Sequence, residues 1–139
     1  MTTELRSGFE EIDHTADVSL KIWGETINDL FLVALKGLYH ISGVTFAEQN
    51  TGVLIRQQLK EPDLESLLVS FLSECNYLLQ FKMQYLEIEE MSIDQCKLKM
   101  NCQVFKVKNI QKEIKAVTFH QLEIVRSDQG YSAQLVFDV

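Results

Sequence analysis

Proline is almost absent from the 139 residues, with Pro62 standing alone. That excludes a Pro-rich linker. Cysteine is scarce and its number is odd: Cys75, Cys96 and Cys102. Their spacing fits neither a disulfide framework nor a zinc pair, so reduced thiols are expected. The six glycines are scattered, without GxGxxG or P-loop spacing, which removes a glycine-cradled phosphate site. No apolar run is long enough to span a bilayer, and residues 1–6 carry no apolar signal core. A cytoplasmic protein with no membrane contact is the expectation. Positive charge is also short: 13 Lys and Arg against 20 Asp and Glu leave a net charge of −7. Tight nucleic-acid binding depends on Lys and Arg displacing counterions. Without a basic tract, stable direct binding of RNA or DNA is not expected. An acidic surface suits a basic protein partner or cations instead.

What is present is ordinary for one globular domain over residues 1–139, with 46% apolar and 24% charged residues. The densest polar cluster is Ile12-Asp13-His14-Thr15-Ala16-Asp17-Val18. It leads into an alternating stretch in which Val18, Leu20 and Ile22 fall on one face of a strand. A short strand over residues 8–14 is expected to precede it, with a turn at Thr15-Ala16. A helix over residues 26–42 follows, with Thr26 as N-cap, Asp29 favouring the helix dipole and Gly43 as a stop. Residues 44–50 read as a loop, and Val53, Ile55 and Leu59 as a third strand. Pro62 is placed at the first position of a second helix. That helix carries a wide apolar stripe from Leu64 to Leu79 and runs to about Phe81.

The remainder reads as strands: residues 85–93 and 97–107 around a turn at Asp94-Gln95, a polar connection over 108–112, a long strand over 113–126, a hairpin turn at 127–130, and a last strand over 131–138. In the long strand Val117 and Phe119 share one face while Leu122 and Ile124 share the other. That flip fits a bulge or bend near His120-Gln121, which would aim Lys115, Thr118 and His120 into a site, or else a strand covered on both faces. Two helices and six or seven strands give an α+β fold: one mixed, largely antiparallel sheet with both helices packed on one face.

Asp13 and Asp17 would lie ~13 Å apart on one extended strand, at ~3.3 Å per residue, too far to share a metal. A turn at Thr15-Ala16 would shorten that distance; otherwise only one of the two is a ligand, and the second carboxylate must come from elsewhere. The chain ends Leu135-Val136-Phe137-Asp138-Val139, with Tyr131, Ala133, Leu135 and Phe137 inward. This offers the Asp138 side chain and the Val139 α-carboxylate as neighbouring anions. Held against Asp17, they would form an all-oxygen site for Ca²⁺, Mg²⁺ or Mn²⁺ rather than zinc. His14 can orient a carboxylate, bind a metal or cap the turn, and His120 is the second candidate histidine. His40 reads as a helix-end residue. Lys115 is either an edge-strand charge or a cation for an anionic ligand. Cys75 and Cys102 read as core, and Cys96 as a turn residue.

Four segments resemble the archease family, in order and across nearly the whole chain. They are Asp13-His14-Thr15-Ala16-Asp17-Val18 followed by Trp23-Gly24; the helix over residues 64–79; Lys115-Ala116-Val117-Thr118-Phe119-His120; and the ending Ala133-Gln134-Leu135-Val136-Phe137-Asp138-Val139. Phe119 stands where Tyr is commoner, Gln121 where acidic residues also occur, and Asp13 where Glu is also found. The resemblance implies an α+β module with an insertion between its strands. It implies a protein cofactor, not an enzyme, that promotes guanylylation and repeated turnover of an RtcB-type RNA ligase in tRNA splicing and RNA repair. It also implies a metal site on Asp17, Asp138 and Val139, with Lys115 as a further functional residue. Two other classes compete. A stand-alone metal-dependent hydrolase would share the carboxylates but lacks an evident base pair or second metal set. A chaperone or interaction module for RNA-modifying enzymes would need no metal.

Overall fold

The computed structural model describes residues 6–13 and 17–139. Strand β1 (Gly8–Asp13) runs antiparallel to β2 (Asp17–Gly24), from Gly8 opposite Trp23 to Asp13 opposite Val18. The expected turn at Thr15-Ala16 lies outside the described residues. Along β2 the alternation holds, and Val18, Leu20 and Ile22 are all buried.

Helix α1 (Ile27–Ser42) opens with a capping box: the Asp29 N–H donates to Thr26 Oγ1 (3.0 Å) and the Thr26 N–H to Asp29 Oδ2 (3.3 Å). Gly43 ends it at φ +64°, the left-handed conformation glycine adopts without strain. On its inner face, a Cβ at Gly37 would lie 2.4 Å from Leu20 Cδ2, so helix and strand meet closer than a side chain would permit.

Strand β3 (Val44–Phe46) occupies part of the stretch read as a loop, and β4 (Val53–Lys60) follows. Helix α2 (Leu64–Lys82) is capped by Asp63, whose Oδ1 accepts the Ser66 N–H at 2.7 Å. That bond holds the Asp63 carboxyl below its ordinary pKa. Pro62 therefore stands just before the cap, not at the first helical position, because Asp satisfies an N-terminal donor that Pro cannot.

Strands β5 (Gln84–Asp94) and β6 (Lys97–Ile110) form a long hairpin. Its two-residue turn is Gln95-Cys96, both left-handed (φ +50° and +59°), as a twist-matched hairpin requires. The turn thus sits one residue later than expected. β6 also runs through Lys108 and Asn109 to Ile110, where it pairs with Val44 of β3. Those residues looked like a connection because an exposed strand end is polar.

The long strand expected over 113–126 is two strands, β7 (Ala116–Thr118) and β8 (Val125–Ser127), both paired with β9 (Gly130–Asp138). Thr118 faces Val136 and Val125 faces Ser132, so seven steps on one side meet four on the other. The excess loops out through a turn in which the Leu122 N–H donates to Phe119 O and Gln121 takes φ +55°. The bend near His120-Gln121 is there, and the continuous strand covered on both faces is not.

The class is α+β, but the strands divide into two sheets, and every pairing is antiparallel. The first sheet has β9 between β2 on one side and β7 and β8 on the other; the second is built on β6. A single sheet fails because β4 and β5 fill both edges of β6. One cluster of buried side chains joins both sheets to both helices, with Phe31 of α1 against Phe71 of α2 (ring centroids 5.7 Å apart). Cys75 and Cys102 lie within it, as read.

Tyr39 is the buried polar link between α1 and β5. It stacks on Tyr85 and its hydroxyl accepts the Leu86 N–H at 2.9 Å. Tyr39→Phe leaves that amide without an acceptor and is expected to cost about 1–3 kcal/mol, read as a lower urea midpoint at unchanged m-value. Burial also pushes the Cys75 and Cys102 thiols above their ordinary pKa. Of the three thiols, Cys96 alone should react with a disulfide reagent in the native protein, and all three in denaturant.

A candidate carboxylate site at the end of the first sheet

Asp17 opens β2, and its partner across the ladder is Asp138, the last residue of β9. On the far side of β9, Asp138 faces Ala116 of β7. Directly opposed residues share a sheet face with Cβ atoms ~4.5–5.5 Å apart. The next row, Val18–Phe137–Val117, is buried against the helices. By alternation the row Asp17–Asp138–Ala116 therefore faces away from the core. Asp17 is half-buried and Asp138 is exposed. One row further in on that outer face, Ser19 and Val136 are also buried, at 4% and 6% exposure. The carboxylate pair thus stands at the rim of a dry patch, where the field of like charges is less screened than in open water.

The tail is held by its neighbours. Val139 packs its side chain against the core cluster, which holds this end of the chain beside the first sheet. The Lys115 N–H donates to the Asp138 carbonyl at 2.8 Å. One residue earlier, Ile114 is buried and its carbonyl accepts from Asn76 Nδ2 at 2.9 Å, tying the start of β7 to α2. Asn76 escaped the sequence reading. Its only signal was an amide set between Cys75 and Leu79 on an otherwise apolar stripe.

The sequence candidates divide accordingly. Asp17, Asp138 and Val139 come together, and Lys115 joins them through its main chain with its side chain exposed. Thr118 is committed elsewhere, with its Oγ1 donating to Val136 O at 2.9 Å and accepting the His120 N–H at 3.3 Å. His120 is exposed on the looped-out turn, beyond Thr118, and is not gathered into the carboxylate row. Asp13 and Asp17 lie on two strands of a hairpin, so the separation along one strand does not apply. Asp13 is described only in its main chain, and His14 lies outside the described residues. At the opposite end of the sheet is an open cleft of about 1160 Å³, lined by Trp23, Tyr131, Arg6 and Arg126 among others. Sequence reasoning did not point to it, because its residues come from three separate segments.

Among the described residues, no three His, Cys, Asp or Glu side chains converge on one point. The groups paired at the sheet end are the side-chain carboxylates of Asp17 and Asp138. That set is all oxygen and anionic, which fits a hard divalent cation and not zinc. No helix among the described residues is long and apolar enough to cross a membrane.

The Archease protein family (MTH1598/TM1083) model matches residues 9–139. The protein archease of Methanosarcina barkeri is 33% identical over 143 residues, covering 94% of this chain and 95% of that one. That of Methanosarcina mazei is 34% identical over 141 residues, with the same coverage. In fold, the crystal structure of an archease and possible chaperone from Thermotoga maritima superposes at TM-score 0.69, with 20% identity over 99% of this chain and 100% of that one. The solution structure of protein 1598 of Methanobacterium thermoautotrophicum gives 0.68, with 23% identity over 95% and 99%. With the motifs at Asp17, Lys115 and Asp138 carried on this fold, the chain belongs to the archease family.

Proposed function

We propose that this archease is a non-enzymatic protein cofactor of an RtcB-type RNA ligase, promoting ligase guanylylation and repeated turnover in tRNA splicing and RNA repair. The observation that carries the reading is the direct pairing of Asp17 with Asp138 beside the chain terminus. A divalent cation (Ca²⁺, Mg²⁺ or Mn²⁺) held by Asp17, Asp138 and the Val139 carboxylate would neutralise that end and give a charged contact for the ligase's nucleotide site. Lys115, exposed beside the row, supplies the one cation of the motif and is placed to meet an anionic group. The net charge of −7 supports a helper that works on a protein and not on RNA directly. His120, the histidine the hydrolase reading would draw on among the described residues, is on the outlying turn. A helper of this kind acts inside the cell, so a cytoplasmic location goes with the reading.

Asp17→Asn removes one charge and no volume. The variant should fold, by circular dichroism and thermal melt, yet lower ligase guanylylation in a GTP assay by at least tenfold. Full stimulation by a folded Asp17→Asn protein would refute the role. Cation binding has its own readout without the ligase. A cation at one hundred times its dissociation constant adds about 2.7 kcal/mol to stability. Ca²⁺ or Mn²⁺ should therefore raise the wild-type melting temperature by several degrees and leave that of Asp17→Asn or Asp138→Asn unmoved.

A further inference from the structure

The two outer edges of the second sheet are treated differently. The edge of β5 is covered by α1: Tyr39 takes the Leu86 N–H and Asn28 Nδ2 donates to Met91 O (2.9 Å). The edge of β4 carries no such cover among the described residues. Its bonding groups can be assigned. The Leu86 N–H points away from β6, so its partner Val104 bonds the other way, towards Val53 of β4. By alternation Val53, Ile55, Gln57 and Leu59 bond β6. Leu54, Arg56, Gln58 and Lys60 turn their N–H and C=O groups outward. This is an eight-residue edge strand with unfilled ladder positions.

Its chemistry is directional. On the outer face Arg56 and Lys60 stand beside Lys97 and Lys99 of β6, which pair with Lys60 and Gln58. Among the described residues none of the four lies within ion-pair distance of a carboxylate. The acids on that face lie on the far strand β5: Glu87, Glu90 and Asp94 pair with Gln103, Asn101 and Lys97, and Glu89 sits at the bulge. Glu89 and Glu90 accept from the Gln103 and Asn101 side chains, which leaves the β4 edge itself to the cations. On the other face Ile55 and Leu59 are only partly buried, and Val53 is 63% exposed. A strand added here would meet cations on one face and aliphatic side chains on the other. In a chain of net charge −7 this basic stripe is an exception. It also counts against a second copy of the same edge, which would set the Arg56 and Lys60 stripes of two molecules side by side.

We propose that β4 is a docking edge for an extended segment of a partner protein that alternates acidic and aliphatic residues and joins the sheet as a further strand. The proposal is independent of the carboxylate site on the first sheet. Three fluorescent probes test it: a ten-residue Glu/Val alternating peptide, its Lys/Val counterpart and a ten-nucleotide oligouridine. The Glu/Val peptide should bind, and hydrogen exchange should show the Leu54, Arg56, Gln58 and Lys60 amides slowed in the unmodified protein. Arg56→Glu combined with Lys60→Glu should weaken that peptide at least tenfold and favour the Lys/Val one. Gln58→Pro, which deletes one outward N–H and no bond to β6, should weaken it similarly. The proposal is overturned if the Lys/Val peptide binds the wild type equally well, if oligouridine gives the same amide protection, or if no peptide protects those amides. Protection that appears with protein concentration alone would assign the edge to a second copy, and would also overturn it.

Discussion

The pairing of β2 with β9 is the constraint on which the candidate site depends. Its register is set by what it buries: Leu135 lies opposite Leu20 and Phe137 opposite Val18, all within the core. A slip of one residue would turn Leu135 and Phe137 outward and Asp138 inward. Exposing each of those two side chains forfeits roughly 1.5–3 kcal/mol. Like charges directly opposed across a ladder cost at most about 1 kcal/mol. Packing therefore wins, and the juxtaposition of Asp17 and Asp138 follows from hydrophobic registration.

This explains why the pairing of Asp17 with Asp138 was legible in the sequence. The alternation in residues 17–23 and again in 131–138 marked two strands of the same kind, one opening and the other ending on an aspartate. The helix stripes, the Thr26 cap and the Gly43 stop were equally local signals, and the helices lie where those signals put them. Asn76 was not legible, because its role is a bond to Ile114, 38 residues away along the chain. The hold of Lys115 on Asp138 is a main-chain contact and leaves no trace in residue type.

The second sheet was read less well, for a related reason. Periodicity reports which face of a strand is buried, but not which strand lies beside it. β3 and the far end of β6 are short or polar, and their pairing is visible only once β6 is known to run 14 residues. The division of 113–126 into two strands shows the opposite case. There the face flip was visible in the sequence, and counting steps against β9 turns it into a looped-out turn. What the flip could not reveal is that the turn carries His120 away from the carboxylates and does not aim it at them.

One strand, β9, joins two chemically distinct ends. The rows at Asp138 and at Tyr131 are separated by seven residues, or about 23 Å at ~3.3 Å per residue. The arginines lining the cleft stand at the Tyr131 end. Their fields are screened over ~8 Å at physiological ionic strength, so they do little to relieve the repulsion between Asp17 and Asp138. Nor does α1 supply a donor, since the row faces away from the helices. The charge at the sheet end is balanced by Lys115 beside it and by whatever meets it there: solvent counterions, a bound divalent cation or a cationic surface of a partner. A sheet so rigidly registered cannot spread the two carboxylates apart without exposing Phe137. Among the described residues, Lys115 and groups arriving from outside are what can neutralise the pair.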